Sequence, residues 1–303
     1  MDKKDFWMKT IKIKSPAKIN LGLKIIGKRS DGYHNIETIF QMISLYDDIT
    51  LTESDTGITL HSNNRDIPLN EKNLAYKAAY LLRERTGVKK GVKIEIDKNI
   101  PISAGLGGGS SNAAVTLLGL NYIWELRLSK EELLSIARLL GADVPFFLSG
   151  VRAFGTERGD ELQILSVTSK FYVILLNPRI SISTEWVYKN LKLELTKGRK
   201  NISMKEFISE KRDVEDLAVI LFNDLESVVV EKYDVISRMK ELLLSAGASG
   251  SLMSGSGSTV FGIFKDYSSA KQAGEMLKRD EWSLFLAESL TGLDNVYPGE
   301  VIV

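Results

Sequence analysis

The sequence predicts an α+β fold, and three observations predict it. Residues Ile11 to Ile25 alternate, with apolar side chains at odd positions such as Ile13, Ala17, Ile19 and Leu21 and polar ones at Lys12, Lys14, Lys18, Asn20 and Lys24. A period of two marks a strand with one buried face. Strand-like and helix-like segments are then mixed along the chain, with hairpin-like early strands, which suits α+β better than a doubly wound sheet. The length of 303 residues is too great for one typical core and short for three domains, so two lobes or one large α/β unit are expected.

Each element follows from local signals. The alternating stretch at 11–25 reads as one long strand or as two joined at Pro16. "KRSDGYHN" is a turn or loop punctuated by Asp31-Gly32. "TIFQMISLYDDITLT" returns as strand, and "NEKNLAYKAAYLLRERTG" is a helix that stops at Gly87. "VKIEI" alternates cleanly as a strand. A glycine-rich loop follows, then a helix from about Ser111 to Leu126. Ser129 and Glu132 form a capping box that opens a helix ending at Gly141. "RAFGTERGD" reads as strand and turn, "FYVILLNP" as strand, and "ISTEWVYKNLK" as the start of an irregular region. Residues 213–247 read as strongly helical. A second Gly/Ser turn precedes the strand "TVFGIF", "SSAKQAGEMLKRD" is a helix, and "WSLFLAESL" is the last strand. No repeat or low-complexity tract interrupts the chain. A domain boundary near residues 150 to 160 is expected, although no linker marks it.

Composition limits the function classes. Hydrophobic residues make up 44% and charged residues 26%, a globular balance. Forty basic and 39 acidic residues leave a net charge of +1, which is no footprint for nucleic acid or a membrane surface. A local positive site for a small anion would not show in that total. The absence of cysteine excludes disulfides, thiolate metal sites and a cysteine nucleophile. No apolar run reaches membrane-spanning length. The start "MDKKDFWMKT" has neither a signal-type apolar core nor the acid-poor character of a transit peptide. A soluble cytoplasmic protein is expected.

The stretch "PISAGLGGGSSNAA", Pro101 to Ala114, carries the chemistry. It is no Walker loop, because Gly105 to Ser111 contains no lysine. It is no dinucleotide fingerprint either, because Ser110 stands where the third glycine belongs. The kinase signatures H-R-D and D-F-G are also absent. The physics is clear even so. Consecutive glycines let main-chain N–H groups converge on an anion. The following helix aims its N-terminal N–H groups and dipole at the same point. Ser110 and Ser111 add hydroxyls that can cap the helix, bind phosphate or hold a metal ion. The rival reading is a plain flexible connection, against which the number of glycines before a helix argues.

This loop resembles the second motif of the GHMP kinases, small-molecule kinases named for galactose, homoserine, mevalonate and phosphomevalonate. "SPAKINLGL", Ser15 to Leu23, resembles the first motif, and "SGSGSTVFGIF", Ser254 to Phe264, the third. The matches span nearly the whole chain. "RSDGYHNIETIFQ", "GADVPFFLSG" and "GTERGDEL" further resemble the branch that phosphorylates the 2-hydroxyl of a cytidine diphosphate-linked methylerythritol. "DGYH" soon after "PAKINLGL" is the most diagnostic pair.

The resemblance implies a two-lobed α+β fold with the active site in the cleft between lobes. An ATP-binding lobe, residues 1–155, would hold the glycine loop, and residues 156–303 would contribute to substrate binding. The last strand is expected to return to the first lobe. ATP would lie on Pro101, Ile102, Ser103, Ala104, Gly105, Leu106, Gly107, Gly108, Gly109, Ser110 and Ser111, with Mg²⁺ touched by the Ser110 hydroxyl. Asp143 matches the catalytic base; its bland alternative is a helix cap beside Pro145. Lys18 matches the catalytic lysine, and near Asp143 it would keep the carboxylate ionised. Its bland alternative is the solvated strand face that explains Lys12 and Lys14. Asn20 lies on the same face. Tyr33 and His34 would recognise cytosine by stacking and by pairing with the base edge. Tyr188 matches a second stacking aromatic, with Trp186 as the alternative. Thr184 would contact substrate, and Gly255, Ser256 and Gly257 would close the site. Two rival functions stay open: another GHMP kinase, acting for instance on homoserine or mevalonate, and an inactive nucleotide-binding regulator.

Overall fold

The computed structural model describes residues 8–167, 169–191, 204 and 220–302. Strand β1 (Thr10–Lys28) and strand β2 (His34–Ser54) form a long antiparallel hairpin, from Thr10 opposite Thr52 to Lys28 opposite His34. β1 is thus one strand and not two. Pro16 has no N–H to donate, and a register shift between Pro16 and Ala17 absorbs it without ending the strand. Strands β3 (Ile58–Ser62) and β4 (Gly91–Asp97) extend the sheet beyond β2. Helix α1 (Leu74–Thr86) starts at the Asn73 cap and stops at Gly87, which is left-handed at φ 69°. Helix α2 (Gly108–Ile123) begins inside the glycine run, earlier than Ser111, and ends before Leu126. It is buried almost all round; Val115, Leu117, Leu120 and Ile123 are inaccessible to solvent. Each contributes about 1.5–3 kcal/mol to holding α2 against the sheet.

Helix α3 (Lys130–Leu140) carries the expected capping box between Ser129 and Glu132. The short helix α4 (Val144–Ser149) follows where the sequence suggested only a turn, because Pro145 suits a first helical turn. Strands β5 (Arg152–Thr156) and β6 (Glu161–Ile164) form a hairpin whose first strand pairs with β2, so the first sheet continues to Ile164. Strand β7 (Tyr172–Asn177) opens a second sheet. Helix α5 (Thr184–Lys189) forms in the stretch expected to be irregular, on a Ser183 cap.

The expected helical run of 213–247 lies partly outside the described residues. From residue 220 it is broken into strand β8 (Phe222–Asn223) and helices α6 (Glu226–Val230) and α7 (Val235–Ser245). β8 pairs in parallel with Gly22 and Leu23 of β1, so tertiary pairing overrides helix propensity there. Strands β9 (Gly250–Met253) and β10 (Val260–Phe264) flank the second Gly/Ser turn, so a strand also precedes it. Helix α8 (Tyr267–Leu277) leads to strand β11 (Ser283–Glu288). The second sheet runs β11-β7-β10-β9. The last strand therefore belongs to the second sheet. The segment after it returns to the first lobe, where Leu290, Val296, Tyr297 and Val301 join the core around α2.

Candidate active site

The hairpin face of β1 separates its lysines. Lys12 and Lys14 are exposed, whereas Lys18 is 4% and Asn20 1% accessible. The bland reading of Lys18 as one more solvated strand residue is thereby removed. Its ammonium donates to Asn20 Oδ1 at 2.6 Å and lies 3.5 Å from Asp143 Oδ2. The Asn20 amide in turn donates to Thr38 Oγ1 at 2.8 Å, and Thr38 donates to the Gly22 carbonyl at 2.7 Å. Lys18 is sunk while the Asp143 side chain keeps 34% of its surface open. A buried ammonium needs such partners: removing one member of a buried pair costs about 3–5 kcal/mol. Asp143 stands at the N-cap position of α4, yet its side chain makes no capping bond. Its carboxylate therefore remains available to the cleft.

The glycine loop closes over this pair. The Lys18 N–H donates to the Leu106 carbonyl at 2.9 Å. Ala104 and Leu106 bury their side chains in the core and present only main chain. Pro101 and Ile102 are half-buried behind them, and Ser103 is exposed with φ 51°. Gly107 caps α2 at φ 68°, and a Cβ there would lie 3.0 Å from Lys18 Cγ and Phe147 Cζ. The N–H groups of Gly108, Gly109 and Ser110 form the first turn, where no acceptor exists within the helix. Ser110 is half-buried. Ser111 is fully buried, with its hydroxyl 2.7 Å from that of Ser15. The Ser111 side chain thus ties α2 to β1 and does not face the loop's open side. The approach to the loop rests on a buried pair: the Lys98 ammonium lies 2.8 Å from Asp47 Oδ2, and Asp47 Oδ1 accepts the N–H groups of Asn99 and Ile100. Burial lowers the Lys98 pKa, against the pull of Asp47.

The turn between β9 and β10 completes the enclosure. The Ser254 hydroxyl donates to the Gly105 carbonyl at 2.9 Å and accepts the Asn20 N–H at 3.3 Å. Gly105 has φ 78°, and a Cβ on it would sit 1.9 Å from the Ser254 carbonyl oxygen. Only glycine fits that crossing. Gly255 lies over the pair: a Cβ there would meet Asn20 Oδ1 at 3.2 Å and Lys18 Nζ at 3.4 Å. Gly257 has φ 81°. The Ser256 and Thr184 hydroxyls are 2.9 Å apart, which joins the turn to α5.

Aromatic residues stand beside the charged pair. The His34 and Tyr188 rings stack with centroids 5.1 Å apart and planes at 30°. The Tyr188 hydroxyl pKa is raised by burial first and by the charge of Asp143 second, which places this ring in the field of the carboxylate. His34 is shifted down from 6.5 by burial and then by Lys28, so its neutral form is favoured. Trp186 instead turns to Tyr233 and to the Lys232 ammonium, 4.5 Å above its ring. Tyr33 is 58% exposed at the hairpin tip, under the Arg158 guanidinium at 5.4 Å. Sequence reasoning missed Thr38, Ser254 and Arg158. All three lie inside quoted motifs, "RSDGYHNIETIFQ", "SGSGSTVFGIF" and "GTERGDEL", and that membership was their only signal.

The matches to known proteins agree with this geometry. Residues 73–151 match the family described as GHMP kinases N terminal domain, and residues 203–283 match GHMP kinases C terminal. A 4-diphosphocytidyl-2-C-methyl-D-erythritol kinase of Syntrophus aciditrophicus is 44% identical over 281 residues, covering 92% of this chain and 99% of that protein. The chain belongs to the GHMP kinase family. A second relative of the same name, from Alkaliphilus metalliredigens, is 45% identical over 271 residues, 89% of this GHMP kinase and 93% of the relative. A crystal structure of 4-(cytidine 5'-diphospho)-2C-methyl-D-erythritol kinase superposes with a TM-score of 0.78 at 32% identity, over 92% of this chain and 99% of that one. A homoserine kinase from Cytophaga hutchinsonii shares the fold, with a TM-score of 0.63 at 19% identity over 96% of each chain. Among the described residues, no cluster of three or more His, Asp or Glu side chains is placed to hold a metal ion. No helix among them is long and apolar enough to cross a membrane.

Proposed function

We propose that this GHMP kinase transfers the γ-phosphoryl group of ATP to the 2-hydroxyl of 4-diphosphocytidyl-2-C-methyl-D-erythritol, a step of non-mevalonate isoprenoid precursor synthesis in the cytoplasm. The observation that carries the reading is the adjacency of two features: the Lys18–Asp143 pair under the glycine loop and the His34–Tyr188 aromatic pair beside it. The first suits an alcohol nucleophile, and the second suits a pyrimidine.

In this reading the lobe 1–155 holds ATP and the lobe 156–303 supplies Thr184, Tyr188 and the closing turn. The first-turn N–H groups of α2 and the helix dipole offset phosphate charge. The acceptor oxygen attacks the γ-phosphorus, the bond to the β–γ bridging oxygen breaks, and ADP leaves. Asp143 takes the hydroxyl proton. Lys18 holds Asp143 in place across 3.5 Å and offsets charge as the alkoxide develops. Cytosine stacks on Tyr33 and Tyr188 once the His34–Tyr188 stack opens, which leaves neutral His34 at the base edge, and Tyr188 is favoured over Trp186 because Trp186 packs elsewhere. Such stacking on two rings is worth about 1–3 kcal/mol per ring. Asn20 orients Lys18, and Gly255, Ser256 and Gly257 close over the acceptor. Mg²⁺ fits this donor set as an ion carried mainly by ATP phosphates and water, with the Ser110 hydroxyl as the protein contact, and it would offset phosphate charge.

An ADP-coupled assay offering the cytidine diphosphate acceptor, homoserine and mevalonate in parallel tests the reading. Turnover confined to the cytidine compound is expected. Turnover of another alcohol instead would select a different GHMP kinase, and ATP binding without turnover of any would select the regulator.

A further inference from the structure

Asn223 lies in "FNDLESVV", a stretch that no motif marks, and it plays no part in the chemistry above. Its carboxamide is 3% accessible. The two N–H donors reach the carbonyls of Met253 at 2.9 Å and Gly255 at 2.7 Å. Its oxygen accepts the Leu225 N–H at 3.0 Å. Three of its four hydrogen-bonding capacities are therefore engaged. β8 fixes Asn223 opposite Leu23, on the strand that also carries Lys18 and Asn20. Glu226 adds a second hold, accepting the Met253 N–H at 2.9 Å. The turn 254–257 is thus gripped from one side at Met253 and Gly255. On its other side Gly255 rests against Asn20 and Lys18, and Ser256 reaches Thr184.

We propose that Asn223 is a positioning residue for the acceptor side of the site, an inference that rests on the kinase reading above. By bonding the Met253 carbonyl at the end of β9 and the Gly255 carbonyl in the turn, it sets how far Gly255 and Ser256 stand from Lys18, Asn20 and Thr184. The nucleotide side meets the turn at Gly105, through the Ser254 hydroxyl, but the start of α2 is held by other contacts as well. The glycine loop has its own anchors in the Lys18–Leu106 main-chain bond, the Ser15–Ser111 contact and the Lys98–Asp47 pair. Displacing the turn therefore misplaces the acceptor more than the nucleotide, and misplacement by about 1 Å costs on the order of 100-fold in rate.

Asn223→Asp tests this, because it keeps the shape and puts a carboxylate oxygen where the donor faced two carbonyls. For whichever acceptor the wild type turns over, kcat/KM for that acceptor is expected to fall about 10- to 100-fold, with Kd for ATP within about threefold of wild type. Hydrogen exchange over residues 250–262 should quicken while that over 108–114, in the first turns of α2, holds. Asn223→Ser keeps one short donor and takes the same test if Asn223→Asp does not fold; its loss should be the smaller. Wild-type acceptor kinetics in a folded variant, or a parallel loss of ATP and acceptor binding with a general rise in exchange, overturns the proposal. A wild type that turns over no acceptor sinks the kinase reading instead, and unchanged exchange in the turn then sinks this one as well.

Discussion

Lys12, Lys14 and Lys18 all stand at even positions of one strand, and of these three only Lys18 is buried. The register shift between Pro16 and Ala17 turns the alternation over: Ile13 and Ser15 face α2 before it, and Lys18 faces the start of α2 after it, where the glycine loop and the turn at 254–257 close over it. Asp143 gains its availability in a similar way, because Val144 and Pro145 start a helix that does not need the Asp143 carboxylate as a cap. Asp143→Asn should therefore lower kcat by about 10²- to 10⁴-fold while Kd for ATP, measured by titration calorimetry, stays near wild type. An Asp143→Asn enzyme with full turnover would remove Asp143 as base. His34 gives a pH prediction. Its pKa is depressed by burial and by Lys28, so the neutral form is present above 6.5 and is lost only as pH falls through the lowered value. KM for the cytidine acceptor should be flat above that point and rise in more acidic solution. The same profile measured on His34→Gln should lose the rise. At this scale the sequence offered residue types, and family resemblance ranked them. Burial then separated Lys18 from its neighbours and moved Ser111 to a structural role.

Glycine decides the element scale. α2 starts at Gly108 and not after the glycines, because Gly107 adopts the left-handed cap and Gly108 fits beside Lys98 and Ile100. The helix thus reaches closer to the loop's open side than hydrophobic periodicity indicated, with three N–H groups at its mouth. Gly105→Ala should be the most damaging single methyl in the loop. Its φ of 78° and the Ser254 carbonyl at 1.9 Å from the new Cβ exclude the native crossing. We expect ATP affinity to fall by about tenfold or more, with a lower melting temperature, both read by thermal shift with and without ATP. An unchanged ATP-induced shift would show that the loop tolerates the methyl. The helical run expected over 213–247 is interrupted at this scale too, within its described part from residue 220. Its periodicity is real in α7, yet Phe222 and Asn223 pair with β1, and a pairing partner so distant in sequence leaves no local signal.

Across the whole molecule, the C-terminal half gives two segments to the first sheet and its core. β8 joins the first sheet, and the tail after β11 packs into the first core. Tyr297 is buried there, its hydroxyl pKa pushed up chiefly by burial, and it donates to the Phe147 carbonyl at 2.9 Å in the helix that follows Asp143. Tyr297→Phe leaves that carbonyl unsatisfied and should cost about 1–3 kcal/mol in denaturant unfolding. A loss below the error of the measurement would mean that the bond contributes nothing. The sequence by itself determined the α+β class, the early strands, the capping box of α3, the stop of α1 at Gly87 and the glycine run that opens α2. Each of these rests on short-range physics: residue period, caps, turns and glycine freedom. Only the tertiary structure decided that Lys18 meets Asp143 and Gly255, that Tyr188 lies in the field of Asp143, that Ser254 and Asn223 hold the 254–257 turn, and that Trp186 looks away. Those contacts join residues far apart in the chain, and long-range packing and burial are not written in any local period.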